Sequence, residues 1–191
     1  MDVFEKSVAF AIKAHEGQTR KKEGIPFILH PCEAAAIAGT LTNDRDILAA
    51  VMLHDTVEDT DATIEDIRRE FGERVAELVS KETENAYEGM AREDSWRLRK
   101  EESLEQLRNT DDFGVKVMWM ADKLSNIRSF FRLRIREGDK LFENFHQKDP
   151  KQQEWYYRTI VELLKDFEGT QAYLEYAYLV DVVFGGLDDE S

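Results

Sequence analysis

Cysteine occurs once in the 191 residues, as Cys32, so no internal disulfide can staple the chain, and a reducing, cytoplasmic compartment is the expected setting. There is no long apolar run and no basic-then-apolar leader, so neither a membrane nor a secreted destination is expected. Three prolines and ten glycines leave few breakers, which favours long helices over short strands and turns. Positive charge is also short. With 26 Lys and Arg against 40 Asp and Glu, the net charge of -14 repels polyanions, and a nucleic acid polymer is excluded as the expected partner. A small anionic ligand would need positive charge supplied locally, by a metal or by a cluster such as Arg20-Lys21-Lys22. What is present suffices for one domain: 42% hydrophobic residues can bury a substantial core, and no repeat or linker calls for a second.

Apolar residues recur at three- and four-residue spacing through most of the chain, and the fold class reads as all-α, a single helical bundle over 1–185 with a frayed tail at 186–191. A first helix over Met1 to His15 stops at Gly17, and a basic loop follows. His30-Pro31 marks the entrance of a helix whose body is Glu33 to Leu41, since proline costs nothing in a first turn. Asp44 caps a helix whose far end carries His54, Asp55, Glu58 and Asp59. Thr63 and Asp66 form a capping box for a helix to Phe71, and Glu73 to Lys81 resumes after Gly72. Glu82 to Asp94 reads as a polar loop. Helices over Ser95–Leu107, Phe113–Arg136, Pro150–Phe167 and Thr170–Phe184 complete the bundle.

The chemistry gathers around His54-Asp55. In a helix His54 lies above Glu58 and Asp55 above Asp59, so four ionisable groups share two adjacent stripes. The apolar run Ala49-Ala50-Val51-Met52-Leu53 draws His54 and Asp55 inward, where carboxylates need partners. A divalent cation meets that need, since imidazole nitrogens and carboxylate oxygens suit manganese, iron or zinc. Asp122 repeats the pattern after Val117-Met118-Trp119-Met120-Ala121, with either a cation or a base such as Lys123 or Arg128 as its partner.

Four ordered segments carry a family resemblance: Gly17-Gln18-Thr19-Arg20-Lys21, Gly24-Ile25-Pro26-Phe27-Ile28-Leu29-His30-Pro31, His54-Asp55-Thr56-Val57-Glu58-Asp59-Thr60, and Asp122-Lys123-Leu124-Ser125-Asn126-Ile127-Arg128. Together they resemble the HD-type hydrolase domain of RelA/SpoT homologues, in its stand-alone small alarmone hydrolase form. The resemblance implies one divalent metal, typically Mn2+ with Fe2+ or Zn2+ as alternatives, held by His30, His54, Asp55 and Asp122. It implies catalytic roles for Glu58 and Asp59, and contacts to a small anionic nucleotide from Arg20, Lys21, Asn126 and Ser129. The implied reaction removes the 3′-pyrophosphate of guanosine tetra- or pentaphosphate, giving pyrophosphate and GDP or GTP. Other readings of the same residues are a phosphohydrolase acting on the 2′-phosphate of NADPH or on a nucleoside monophosphate, and a non-catalytic nucleotide sensor. Oligomeric state is not written in the sequence.

Departures from the family pattern fall on the ligand side. One extra residue separates Arg20-Lys21 from Gly24, Phe27 stands where tyrosine is frequent, and the stretch Glu82 to Asp94 is longer and more acidic than usual. Trp96, Arg99 and Lys100, and separately Trp155-Tyr156-Tyr157, form aromatic clusters whose expected role is core packing. His15 and His146 are expected to be structural or exposed.

Overall fold

The computed structural model describes residues 2–20, 23–82, 87, 89–91 and 93–185. Lys21 and the tail 186–191 therefore lie outside the described residues. The protein is all-α: among the described residues there is no strand, only an isolated antiparallel bridge between Thr19 and Pro26. No described helix is long and apolar enough to cross a membrane.

The chain divides into two compact units, Met1–Glu84 with Thr110–Ser125, and Asn85–Asn109 with Asn126–Ser191. The first contains α1 (Val3–Ala14), α2 (Leu29–Ala38), α3 (Arg45–Leu53), α4 (Thr56–Asp59), α5 (Ile64–Phe71), α6 (Glu73–Glu82) and the first half of α8 (Phe113–Glu137). At its centre stands α3, packed against α1, α2 and α6. Every residue from Ile47 to Leu53 is buried, as a helix apolar on all sides requires, and the small side chains of Ala49 and Ala50 let the neighbouring helices approach. Caps fix the helix starts. Asp2 and Glu5 exchange side-chain bonds with each other's amides at 3.0 and 2.8 Å, Asp44 accepts from the amides of Asp46 and Ile47, and Thr63 pairs with Asp66 as its spacing predicts. Arg74 of α6 grips Asp112 through two bonds of 2.7 and 2.8 Å, and Asp112 also accepts from the Gly114 amide, which anchors the start of α8.

Two element boundaries differ from expectation. The helix expected to run on to Asp59 stops at Leu53 and restarts as α4, because side chains there take up backbone carbonyls: His54 Nδ1 bonds Val51 O at 2.7 Å and Thr56 Oγ1 bonds Leu53 O at 2.6 Å. Helix α2 begins at Leu29, with Pro31 in its first turn, and ends at Ala38 instead of Leu41.

The second unit contains α7 (Trp96–Arg108), the remainder of α8, a 3-10 segment Gly138–Asn144 that the periodicity did not announce, α9 (Pro150–Leu163), a 3-10 turn Lys165–Phe167 and α10 (Gln171–Phe184). Here α9 packs on α7 and α10. Trp96, Tyr156 and Tyr157 are buried, with Trp96 edge-on to Tyr156 at 6.0 Å, so these aromatics build the core. Outside them, the Arg97 guanidinium lies 3.3 Å from the centre of the Trp155 ring.

Candidate metal centre

Three helices of the first unit deliver their polar residues to one point. The first turn of α2 carries His30, the end of the buried α3 carries His54 and Asp55, and the buried stretch Val117–Ala121 of α8 delivers Asp122. His30, His54 and Asp122 form a group that can hold a metal ion, with ligand atoms all within 4.8 Å of one another. The Nε2 atoms of His30 and His54 stand 3.2 Å apart. Asp122 Oδ1 lies 3.1 Å from His30 Nε2 and 3.5 Å from His54 Nε2, and Asp55 Oδ2 lies 3.4 and 3.2 Å from the same two atoms. Donors bonded at about 2.0–2.2 Å to a common ion stand roughly 3.0–3.6 Å apart, which is the spacing found.

The far side of each imidazole decides what the near side offers. His54 Nδ1 faces a carbonyl, Val51 O, so it carries the ring proton and Nε2 presents a lone pair. His30 Nδ1 lies 2.9 Å from Ser125 Oγ, and that hydroxyl donates its own proton to Glu33 Oε2 at 2.7 Å. Ser125 must then accept from His30, and the His30 Nε2 lone pair also points inward. Two lone pairs at 3.2 Å, flanked by two carboxylates, require positive charge between them. The same demand shows in the titration of the groups. Burial pushes His30 below its ordinary value against the pull of Asp122 and Asp55, while at His54 the burial penalty is overcome by Asp55 and Asp122, which raise it. Burial also opposes the charge on Asp55 and Asp122, yet His54 and His30 hold Asp55, and Lys123 with both imidazoles holds Asp122, below the usual carboxylate range. The donor set of two neutral imidazoles and two carboxylates fits a divalent cation of intermediate softness. Of the bases weighed for Asp122, Lys123 Nζ meets its Oδ2, while Arg128 bonds Glu175, and Oδ1 faces the imidazoles.

A family model described as an HD domain matches residues 7–151. The chain belongs to the HD-domain family. A guanosine-3′,5′-bis(diphosphate) 3′-pyrophosphohydrolase of Vibrio cholerae is 36% identical over 141 residues, 70% of this chain and 19% of the relative. The bifunctional (p)ppGpp synthase/hydrolase SpoT of Escherichia coli K12 is 38% identical over 128 residues, 63% of this chain and 17% of that protein. The chain thus spans about a fifth of the length of these curated relatives. A crystal structure of a Listeria monocytogenes EGD-e protein superposes with a TM-score of 0.70 at 33% identity, covering 81% of this chain and 98% of that one. A metazoan ortholog of SpoT that hydrolyses ppGpp matches with a TM-score of 0.71 at 25% identity, covering 96% of this chain and 94% of its own. Within the family, this is an HD domain of the RelA/SpoT type.

Around this HD centre, the remaining expected residues fall in different places. Glu58 and Asp59 sit on α4 with exposed side chains, and the Asp59 carbonyl accepts from Gln18 Nε2 at 2.8 Å. Gln18 in turn meets Nδ1 of the buried His15 ring at 2.9 Å; His146 is exposed near Glu93. Arg20 belongs to a two-rung ladder, with Arg20 N bonded to Ile25 O and Phe27 N to Gln18 O, closed at Gly24 with φ of 68°. Its guanidinium lies 5.9 Å from the Phe27 ring, which stacks on His15 and meets His30 edge-on. Asn126 and Ser129 lie on α8 in the part grouped with the second unit, Ser129 buried and bonded by Arg132 at 3.0 Å.

Sequence reasoning missed Ser125 and Glu33, the support of His30, and it misplaced Glu82. That residue is the last of α6, not the start of a loop, and its carboxylate oxygens are buried. The signal was available: Val75, Leu78 and Val79 are buried, and position 82 continues their stripe at the next helical step.

Proposed function

We propose that the protein is a divalent-metal-dependent phosphohydrolase of the cytoplasm that removes the 3′-pyrophosphate of guanosine tetra- or pentaphosphate, with residues 1–185 acting as one HD domain. The observation that carries this reading is the pair of inward imidazole lone pairs flanked by Asp55 and Asp122, in a chain whose relatives are named for that reaction. His30, His54, Asp55 and Asp122 would hold the cation; manganese is the ion that the resemblance to RelA/SpoT homologues implies, and iron or zinc would also suit such donors. Such a cation polarises the attacked phosphoryl group and makes water a competent nucleophile near neutral pH.

The chain's own residues supply the rest. Water forms the new bond to phosphorus, the bond from phosphorus to the ribose 3′-oxygen breaks, and a proton passes from the water to that oxygen. Glu58 and Asp59, on the short helix that follows the His54-Asp55 pair, would take and return it. Arg20 would stack on the purine and Lys21 would neutralise phosphate, with Asn126 and Ser129 as further polar contacts to the nucleotide. The exposed Cys32 suits a reducing compartment, and the family match runs across the boundary of the two compact units, which supports one functional domain.

The test is incubation of the manganese-loaded protein with guanosine tetraphosphate, resolving the products. Pyrophosphate and GDP in equal amounts are expected. Orthophosphate release from NADPH or a nucleoside monophosphate, with guanosine tetraphosphate left intact, would assign the site to another nucleotide. Binding without turnover would make it a sensor.

A further inference from the structure

Glu82 has no place in the four-ligand description of the centre, yet its position is unusual. Both oxygens of its carboxylate are shut off from solvent and have no hydrogen-bond partner among the described residues. Burying a carboxylate without a donor costs several kcal/mol unless a positive charge is supplied. The charges acting on it are those of the metal centre: burial, Asp122 and Asp55 push its carboxyl up to about 7, against the opposing pull of His54 and Lys123.

Lys123 alone does not answer the need. Its ammonium is engaged with Asp122 Oδ2 and lies 4.9 Å from the Trp119 ring. Asp55, Asp122 and Glu82 then set three negative charges against a single ammonium. Ligation through Nε2 requires both imidazoles to be neutral, with the ring proton kept on the outward Nδ1, and a divalent cation then closes the balance: two charges from the ion and one from Lys123 against three carboxylates. Without Glu82, the same group would carry one surplus positive charge in a buried setting.

We infer that Glu82 is a further carboxylate of the divalent-cation site, lying outside the His30, His54, Asp55 and Asp122 set and raising the affinity with which that set holds its ion. The inference rests on reading those four residues as a cation site. It gives this chain an acid-rich variant of the centre, selective for a doubly charged ion over a singly charged one.

Calorimetric titration of Mn2+ into the chelator-stripped full chain tests it, comparing wild type with Glu82→Gln and Glu82→Asp. Glu82→Gln keeps the shape and removes the charge, so its affinity should fall by about tenfold or more, the usual effect of losing a supporting group. Stripped of metal, it should unfold at the same or a higher temperature than wild type, since an unpartnered charge has been removed. Glu82→Asp retains the charge and should keep more affinity than Glu82→Gln, which provides the comparison should the latter fail to fold. A loss smaller than tenfold in Glu82→Gln, or Glu82→Asp binding no better than a neutral variant, overturns the inference while leaving the four-residue site standing. Failure of the wild type itself to bind Mn2+ would instead remove the site on which the inference rests.

Discussion

Ser125 donates to Glu33 at 2.7 Å and thereby accepts from His30 Nδ1, so a hydroxyl on α8 fixes the tautomer of an imidazole on α2. Removing that hydroxyl in Ser125→Ala frees the ring to rotate and to carry its proton on the wrong nitrogen. Affinity for Mn2+ should drop by about ten- to a hundredfold, with Ser125→Thr restoring much of it. Equal affinities in calorimetry for wild type and Ser125→Ala would show that the relay does not orient His30.

Stripping the metal should destabilise the whole first unit, because the cation binds only the folded arrangement. At an ion concentration a hundred times the dissociation constant, binding contributes about 2.7 kcal/mol, which for a chain of this length shifts Tm by roughly 5–10 °C. Thermal melts with and without chelator measure it. His54→Ala should abolish the difference and lower the metal-free Tm, since His54 is buried and bonded to Val51 O. A His54→Ala protein whose melting still responds to Mn2+ contradicts the proposed ligand set.

Glu58 and Asp59 are exposed on α4 and lie outside the cluster of ligands. Glu58→Gln combined with Asp59→Asn should lower kcat by about 10²–10⁴-fold and leave Mn2+ affinity within a factor of about two, as expected of proton-transfer groups. Steady-state kinetics beside metal titration separates the roles, and unchanged turnover would take both residues out of the mechanism.

Arg20 carries a planar guanidinium 5.9 Å from the centre of the Phe27 ring, on a side chain only 19% exposed. Lysine keeps the charge and loses the plane. A stacking contact of roughly 1–2 kcal/mol corresponds to about a tenfold rise in KM for Arg20→Lys, with kcat little changed. A selective fall in kcat would place Arg20 at the reacting phosphate instead of the base.

The metal-free protein should lose stability as pH rises through the range governed by Glu82. Its carboxyl ionises near 4.5 when unfolded and near 7 in the fold, raised by burial and by Asp122. Below pH 4.5 both states are protonated. Between those values the unfolded chain gives up its proton first, so unfolding is increasingly favoured, and above pH 7 the loss levels off at up to about 3 kcal/mol. Urea unfolding at pH 5 and pH 7.5 should show this loss in the stripped wild type and not in Glu82→Gln. Identical pH dependences would place the raised carboxyl elsewhere.

Much of this protein is written locally. Helix periodicity, the Asp44, Thr63-Asp66 and Gly17 signals and the apolar runs before His54 and Asp122 announced an all-α fold and the acids drawn into it, because a helix repeats its faces at fixed spacing and its caps act on neighbouring amides. Only the tertiary structure decided that α2, α3 and α8 bring Asp55 and Asp122 to within 3.1–3.5 Å of two imidazoles that stand 3.2 Å apart, that Ser125 and Glu33 set the tautomer of His30, and that Glu82 turns inward. Those contacts join residues as much as 95 positions apart, and their geometry follows from how whole helices pack, which no local pattern encodes.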